Sequence, residues 1–593
     1  GDVYKRQAQL STDITDTKQT LEYETERPNS LYDPSGSFQN INRRYDIVYG
    51  DVMLNFNYNI RRFDIAATLG WTGRYENMNN MRVSTNGGLV TEIWYDLNAS
   101  RYTASSTLQR MELLKTGYMG TLSLGWDNYL FLELTGRQER SSTLKDQSFF
   151  YPSANLSFLF SNAFRMPAWW NHGKLRLSYG VVGNAPETYA ANIIYEQGSD
   201  NGFTWNYVPS SWGNANIRPE KKYEYEIGFE SKFLNNRLGF DVSYYNNRVK
   251  DQILSTPQPS TSGVKYVLMN VGEVANEGWD ISVSATPVLT KNFRWDLTAN
   301  YGIYRNKVVK LADGVPYLEI SNIGGGGAKI QAVEGRPMGD IYVQVPQMNE
   351  NGEYLVSDKG LYMNQTELQR VGNINPDGVG GLFSSFSYKN IFLDFSIDFR
   401  IGGDVINEMY QYSTASGLTP ESLQFRDTEH GGLSYYYPGN NNASGVPVQV
   451  DPSLGAGPNG ETVYHDGVIL PGVVASTGEK NTRIIPAGYY YNQTYNWGTQ
   501  PEQLTYRHSV FDNSYVKLRE LTIGYQFPEK LISKLGMTRL SVSVFGRNLF
   551  YFYKALKNYD AESSVGTSWA SQAVVGGSTT ATRNFGVSLR ASF

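Results

Sequence analysis

A chain of 593 residues with 57 acidic and 52 basic side chains has a formal charge of -5, which argues against a nucleic-acid partner. Cysteine is absent, excluding disulfide frameworks and thiolate metal sites, and no run of 18 apolar residues exists to form a transmembrane helix. The mean hydropathy of -0.43 leaves membrane strands open, because their alternating residues average out, and 44 tyrosines suit aromatic girdles as well as sugar-binding surfaces.

The first residues, G-D-V-Y-K-R-Q-A-Q-L, lack the apolar core of a secretory signal, so the expectation is a trimmed chain or one that begins within a longer protein. The stretch 18–26, K-Q-T-L-E-Y-E-T-E, offers one weak strand. Clear alternation begins at Val52, Leu54, Phe56, Tyr58 and Ile60, and resumes after Arg61-Arg62 with Phe63, Ile65, Ala67, Leu69 and Trp71. It returns at Leu122, Leu132, Leu156, Leu177, Ile227, Phe240, Val283, Leu297 and their neighbours, then at a plausible strand over 382–388. The clearest case is 391–400, where Ile391, Leu393, Phe395, Ile397 and Phe399 oppose Asp394, Ser396, Asp398 and Arg400. Leu521 to Phe527 and Leu540 to Val544 follow. The last strand has Phe585, Val587, Leu589, Ala591 and Phe593 on one face and polar or small residues on the other. About fifteen strands of membrane-spanning length result.

Short connections at Arg61-Arg62, Asp127-Asn128, Asn235-Asn236, Lys291-Asn292 and Lys389-Asn390, with medium ones at 161–173 and 528–537, alternate with long ones at 76–116, 184–220, 304–379, 403–513 and 551–580. Sorting short and long connections to opposite ends is the pattern of an all-β, antiparallel transmembrane barrel with tight periplasmic turns and long outer loops. Counting back from an inward final strand makes 52–60 run inward too. A barrel entered from the periplasm needs an outward strand first, so the expectation is a chain that starts mid-barrel.

Five stretches carry a family resemblance. They are N-V-G-E-V-A-N-E-G-W-D-I-S-V-S-A-T-P-V at 270–288 with N-K-V-V-K-L at 306–311, E-G-R-P-M-G-D-I-Y at 334–342, F-S-Y-K-N-I-F-L-D-F-S-I-D-F-R-I-G-G-D-V at 386–405, D-N-S-Y-V-K-L-R-E-L-T-I-G-Y-Q-F-P at 512–528 and V-F-G-R-N-L-F at 544–550. In that order they resemble the SusC/RagA-like TonB-dependent outer-membrane transporters of Bacteroidota. The resemblance implies a roughly 22-stranded barrel with an N-terminal plug, of which residues 1–593 would be the C-terminal part, lacking plug, TonB-contacting segment and about six strands. It also implies a SusD-like surface lipoprotein and the TonB complex as partners, and active import of oligosaccharides or peptides at the cell outer membrane. The final strand, with Phe585, Val587, Leu589 and Phe593, would be its signal to the barrel-assembly machinery, and outer-membrane lipid its surround. Where the family often has an acidic, calcium-like loop, this chain has N-E-N-G-E at 349–353 and G-N-I-N-P-D-G at 372–378, with too few carboxylates for a metal. A passive porin of about sixteen strands, and a soluble β-rich glycan-binding protein, are the other readings.

No enzyme emerges. His172, His430, His465 and His508 lack ligand spacing, so no metal or cofactor is expected. Glu224, Glu226 and Glu230 on one strand face, like Asp394 and Asp398 with Arg400, suit a wet lumen wall better than acid/base work. Gly324 to Gly327 has no P-loop lysine and reads as a flexible loop. The long loops carry aromatic clusters beside amides: Phe203, Trp205, Tyr207 and Trp212; Tyr435, Tyr436 and Tyr437; Tyr489, Tyr490, Tyr491, Tyr495 and Trp497. Flat rings next to amides suit stacking on sugars, and equally suit loops packing on each other or on a lid. Trp205, Trp212, Tyr435, Tyr436, Tyr437, Tyr489, Tyr490, Tyr495 and Trp497 are the ligand-contact candidates.

Overall fold

The computed structural model describes residues 3–24, 35–145, 148–200, 203–259, 261, 263–496, 505–564, 566, 568–577 and 581–593. Two compact units share the chain: Gly1–Leu234 with Ser243–Ala275, and Asn235–Val242 with Asn276–Phe593. The first holds β1 (Val3–Tyr23), β2 (Ser37–Ile60), β3 (Phe63–Leu89), β4 (Ser100–Trp126), β5 (Leu130–Ser141), β6 (Ser148–Phe158), β7 (Trp170–Asn184) and β8 (Glu220–Phe233), each antiparallel to its neighbours in sequence. The residues of β9 (Leu238–Lys250) are divided between the units. The second holds β10 (Glu273–Leu289, whose first residues belong to the first unit), β11 (Phe293–Lys310), β12 (Gly378–Tyr388), β13 (Ile391–Ile401), β14 (Tyr515–Gln526), β15 (Arg539–Lys554) and β16 (Asn584–Ser592), again in sequence order.

Register turns the alternation into rows. In the first unit Tyr58 faces Ile65, and the row continues through Leu124, Leu132, Leu156 and Leu177 to Ile227. One step toward the short turns lie Ile60, Phe63, Trp126, Leu130, Phe158, Leu175 and Phe229, an aromatic-rich row in which Phe63 stacks on Trp126 at 6.3 Å. The opposite face carries Asn57, Ala66, Ser123, Glu133, Asn155, Ser178 and Glu226. In the second unit Trp295, Phe386, Leu393, Ile523, Val544 and Val587 form the corresponding apolar row.

These apolar rows are not a core. Leu69 is 64% exposed, Leu177 47%, Ile227 50% and Val544 58%. Continuous apolar faces of this size are untenable in water, at about 25 cal/mol per Å² of apolar surface, and find their solvent in lipid. The height fits. On the apolar face of β3 the band runs from Phe63 to Tyr75, with Val48 and Leu114 opposite Tyr75. It ends at the next row, Asp46, Asn77 and Glu112. About thirteen residues at roughly 3.3 Å each, tilted near 45°, span about 30 Å, the thickness of a hydrocarbon core.

Beyond that band the strands continue, which corrects the expected loop over 76–116. Residues through Leu89 and from Ser100 are strand, and only 90–99 connect them. With water on both faces there, no alternation is required, and E-N-M-N-N-M-R-V-S-T-N reads as loop. For the same reason the strand expected at 52–60 starts at Ser37, and the weak 18–26 stretch ends a strand that begins at Val3. The tight turns place Asn128 at φ +59° and Lys389 at φ +54°, the left-handed backbone conformation that lets a short hairpin follow the right-handed twist of its strands.

The long connections of the second unit fold on themselves. Ile330, Ile341, Val343, Ile406 and Tyr506 are wholly buried in one cluster, around a small sheet of Tyr317–Ile323, Ala328–Val333, Asp340–Val343 and Gln369–Asn373. The 334–342 segment serves this core. A Cβ on Gly339, at φ +93°, would lie 2.8 Å from Ile374, and the buried Asp340 accepts from Arg336 and Arg370 at 2.8 Å each and from Asn373 at 2.9 Å. Burial alone would raise its carboxyl, but these donors outweigh burial and hold it below the usual carboxylate range.

Leu177→Arg should cost about 3 kcal/mol in a bilayer and abolish heat-modifiable migration on gels, whereas Ser178→Arg on the polar face should leave migration unchanged. Asp340→Asn should destabilise the loop core by about 3 kcal/mol, because two guanidinium groups lose their buried partner. The Asp340 contribution is present above the unfolded carboxylate range near pH 4 and is lost as the pH falls through the lower folded value. Limited proteolysis of the 311–377 loop against pH checks both.

Candidate functional site

Two tyrosine clusters in the second unit organise its outer loops. The strand Leu433–Tyr436 pairs with Val463–Val468, which brings Tyr435 over Tyr464, stacked at 5.5 Å, with Tyr437 edge-on to both. Tyr435 is 1% exposed, and its hydroxyl donates to Asp466 at 3.2 Å. Burial and the neighbouring Asp466 carboxylate push its phenol well above the ordinary tyrosine range, so it stays a donor. Tyr436 and Tyr437 are half-buried.

The second cluster hangs on helix Ala487–Tyr495, whose sequence A-G-Y-Y-Y-N-Q-T-Y places Tyr491 and Tyr495 one turn apart. Both are buried, and Tyr495 meets Tyr410 of helix Glu408–Ala415 edge-on at 6.2 Å. The Tyr491 hydroxyl donates to the Glu421 carbonyl at 2.8 Å. Tyr489 and Tyr490 are half-buried and pack against Leu361, Val468, Leu470 and Ile485. His508 lies 5.5 Å from the Tyr495 ring, and its Nε2 has no hydrogen-bond partner among the described residues. Burial, helped by the Arg507 charge, holds its imidazole below the usual histidine value and therefore neutral.

Between the two clusters opens a cavity of about 510 Å³, lined by Ser422, Arg426, His465, Asp466, Gly488 and Tyr491 among others. Arg426 donates to the Gly417 carbonyl at 2.9 Å and His465 Nδ1 lies 2.9 Å from Ser434 Oγ. A guanidinium, a carboxylate and a tyrosine ring lining one cavity can orient a polar ligand of several hydroxyls or one with charged ends. Among the described residues no group of three or more His, Asp or Glu could hold a metal ion.

In the first unit, the hairpin Glu196–Asp200 and Phe203–Tyr207 holds Phe203, Trp205 and Tyr207 exposed, with the Trp205 indole flat against Gly198. Trp212 is half-buried, and its indole N–H has no partner among the described residues. Trp497 lies outside the described residues. Two glutamates of β8 are paired rather than poised: Glu230 meets Arg176 at 3.4 Å and His172 at 3.6 Å, and Glu224 accepts from Asn247 at 3.1 Å. On β14, Arg519 joins Asp398 and Glu562 and donates to Asn548, which ties the 555–583 loop to the polar face. Sequence reasoning passed over Arg426 and Asp466, single charges in long loops with no spacing to mark them.

Residues 2–340 match the family described as TonB dependent receptor-like, beta-barrel. The chain is similar to TonB-dependent receptor P3 of Formosa agariphila, 22% identical over 76% of this chain and 42% of that protein. It is also similar to TonB-dependent receptor SusC of Bacteroides thetaiotaomicron, 27% identical over 38% of this chain and 24% of that one. The chain thus spans well under half the length of the curated relatives it matches. Its fold is similar to a solved structure of the RagAB peptide transporter, with a TM-score of 0.72 at 18% identity over 98% of this chain and 59% of that chain.

Tyr491→Phe should lower loop stability by about 1 kcal/mol through the lost hydroxyl bond. Since His508 has a lowered folded value, loop stability should fall as the pH drops below about 6.5, the unfolded value. A His508→Phe variant should flatten that slope. Near-ultraviolet circular dichroism of the tyrosine clusters during pH-controlled melting reads both.

Proposed function

Because this chain belongs to the TonB-dependent receptor-like β-barrel family, we propose that it supplies wall and outer loops to an active importer of oligosaccharides. That family is one of outer-membrane receptors and transporters, and its barrel is a route for import. The observation that carries the proposal is the two-faced sheet, with apolar rows left exposed on one face and polar rows on the other, together with a polar cavity within the long connections of the second unit.

In the proposed cycle a SusD-like surface lipoprotein closes over a ligand too large to diffuse through a porin. Arg426, Asp466 and the Tyr491 ring orient the ligand within the loops. The wall residues Glu133, Asn155, Ser178 and Glu226 offer hydroxyl-matching partners along the polar face. TonB, acting through a plug outside this chain, opens the path at the expense of the proton-motive force. Within this scheme no bond in the ligand is made or broken, so the chain is not an enzyme. The exposed ring of Trp205 remains a candidate ligand or lid contact, and Phe585, Val587, Leu589 and Phe593 the candidate assembly signal.

Peptide cargo is the second reading. It is favoured by the guanidinium and carboxylate lining one cavity, which would suit the two ends of a short peptide.

Uptake of labelled oligosaccharides and of labelled short peptides by cells carrying the full-length protein tests the scheme. Import should stop when a protonophore collapses the gradient, and Arg426→Ala with Asp466→Asn should weaken binding at least tenfold. Uptake that survives the protonophore would mean a passive pore.

A further inference from the structure

The hairpin of β3 and β4 has one unpartnered side above the membrane band. Pairing of β4 with β3 continues from Trp126 through Ser105 and on to Ser100, whereas its pairing with β5 stops at Lys115 opposite Ser141. Among the described residues no strand pairs with the β5 side of Ser105–Leu113. In an antiparallel strand, alternate residues direct both N–H and C=O to the same side. Leu114 directs its pair toward β5, where its N–H donates to Ser142 Oγ at 3.0 Å and its carbonyl accepts from the Ser142 N–H at 2.9 Å. Ser106, Leu108, Arg110 and Glu112 therefore present theirs to the open side.

The first of these donors is already engaged. Glu112 N–H donates to the Tyr189 hydroxyl at 3.2 Å, beside a cavity of about 680 Å³ that Glu112, Leu113, Ser142 and Tyr189 help to line. Beyond the exposed Arg110 the usual protection of an edge is missing. The run Tyr102 to Gln109, Y-T-A-S-S-T-L-Q, contains no proline and no charge, and Tyr102 and Leu108 are exposed on it.

We propose that this edge, Ser105 to Glu112, accepts an extended segment of the surface lipoprotein as an added antiparallel strand. This rests on the lid partner proposed above. A ladder of alternating donors and acceptors is matched by extended backbone and by little else, so the ligand chemistry is a polypeptide strand. The edge begins where the apolar band ends, at the Glu112 row, and rises on the side of the long connections, so its occupant is a protein of the cell surface. A second copy in the same membrane would present the same edge running the same way. The antiparallel pairing that extends this sheet therefore requires a different chain.

Residues 1–593 hold no cysteine, so in the full-length protein, with any cysteine outside these residues replaced by serine, Thr107→Cys takes a single benzophenone label. Irradiation of intact cells should give an adduct containing the lipoprotein, identified by mass spectrometry. Adding Ser106→Pro or Leu108→Pro, which removes one open-side donor each and is tolerated at an edge, should lower adduct yield at least fivefold. Ser106→Thr should not, and heat-modifiable migration should be unchanged in all three. The inference is overturned if the lipoprotein co-purifies with the unsubstituted protein but gives no adduct, if proline leaves the yield unchanged, or if the adduct is a second copy of this chain. Failure of any lipoprotein to co-purify would overturn the lid reading and this inference together.

Discussion

A polypeptide inside a hydrocarbon layer has no water to bond to, so every backbone N–H and C=O at that depth must be satisfied by another strand. The other features of the wall follow from that requirement. Among the described residues every strand from β2 to β15 pairs on both sides, which leaves side chains as the only groups of those strands to touch lipid. The apolar rows are the result: Tyr58 through Ile227 in one unit, Trp295 through Val587 in the other. Where the band ends, the constraint lifts within a single row, and Asp46, Asn77 and Glu112 follow the row of Val48, Tyr75 and Leu114.

With the wall's greasy face turned to lipid, burial has to happen elsewhere. The buried clusters of the second unit lie largely in its long connections, around Ile341, Tyr435 and Tyr491. These loops are folded bodies with their own sheets, caps and charge pairs, and that rigidity is what allows Arg426, His465 and Asp466 to face one cavity in fixed positions. A site built on structureless loops would have to order itself for each ligand, at a cost of about 1 to 2 kcal/mol per residue fixed.

The legibility of the chain followed the same boundary. Residues 391–400 were readable because lipid and lumen enforce opposite chemistry on successive positions. Residues 76–89 and 100–113 were not, because water on both faces lets Asn, Ser and Thr stand anywhere in a strand. Tyrosine clusters were visible as clusters, but nothing local distinguishes Tyr435, 1% exposed against Tyr464, from Trp205, which lies open on its hairpin. The partners that decide the matter lie about thirty residues away. Arg426 and Asp466 were silent for the same reason. The 334–342 stretch was recognisable by resemblance, and its use became clear only from Gly339 against Ile374 and the three donors around Asp340.

The separately buried loops also mean that one molecule answers to two solvents. The loop interiors are held by expulsion of water, a force that weakens on cooling and in urea. Wall strands in lipid are held by backbone ladders that neither change reaches in the same way. Cold or mild denaturant should therefore strip the ligand-orienting surface while the embedded sheet stays intact, leaving a correctly inserted protein that no longer recognises its cargo.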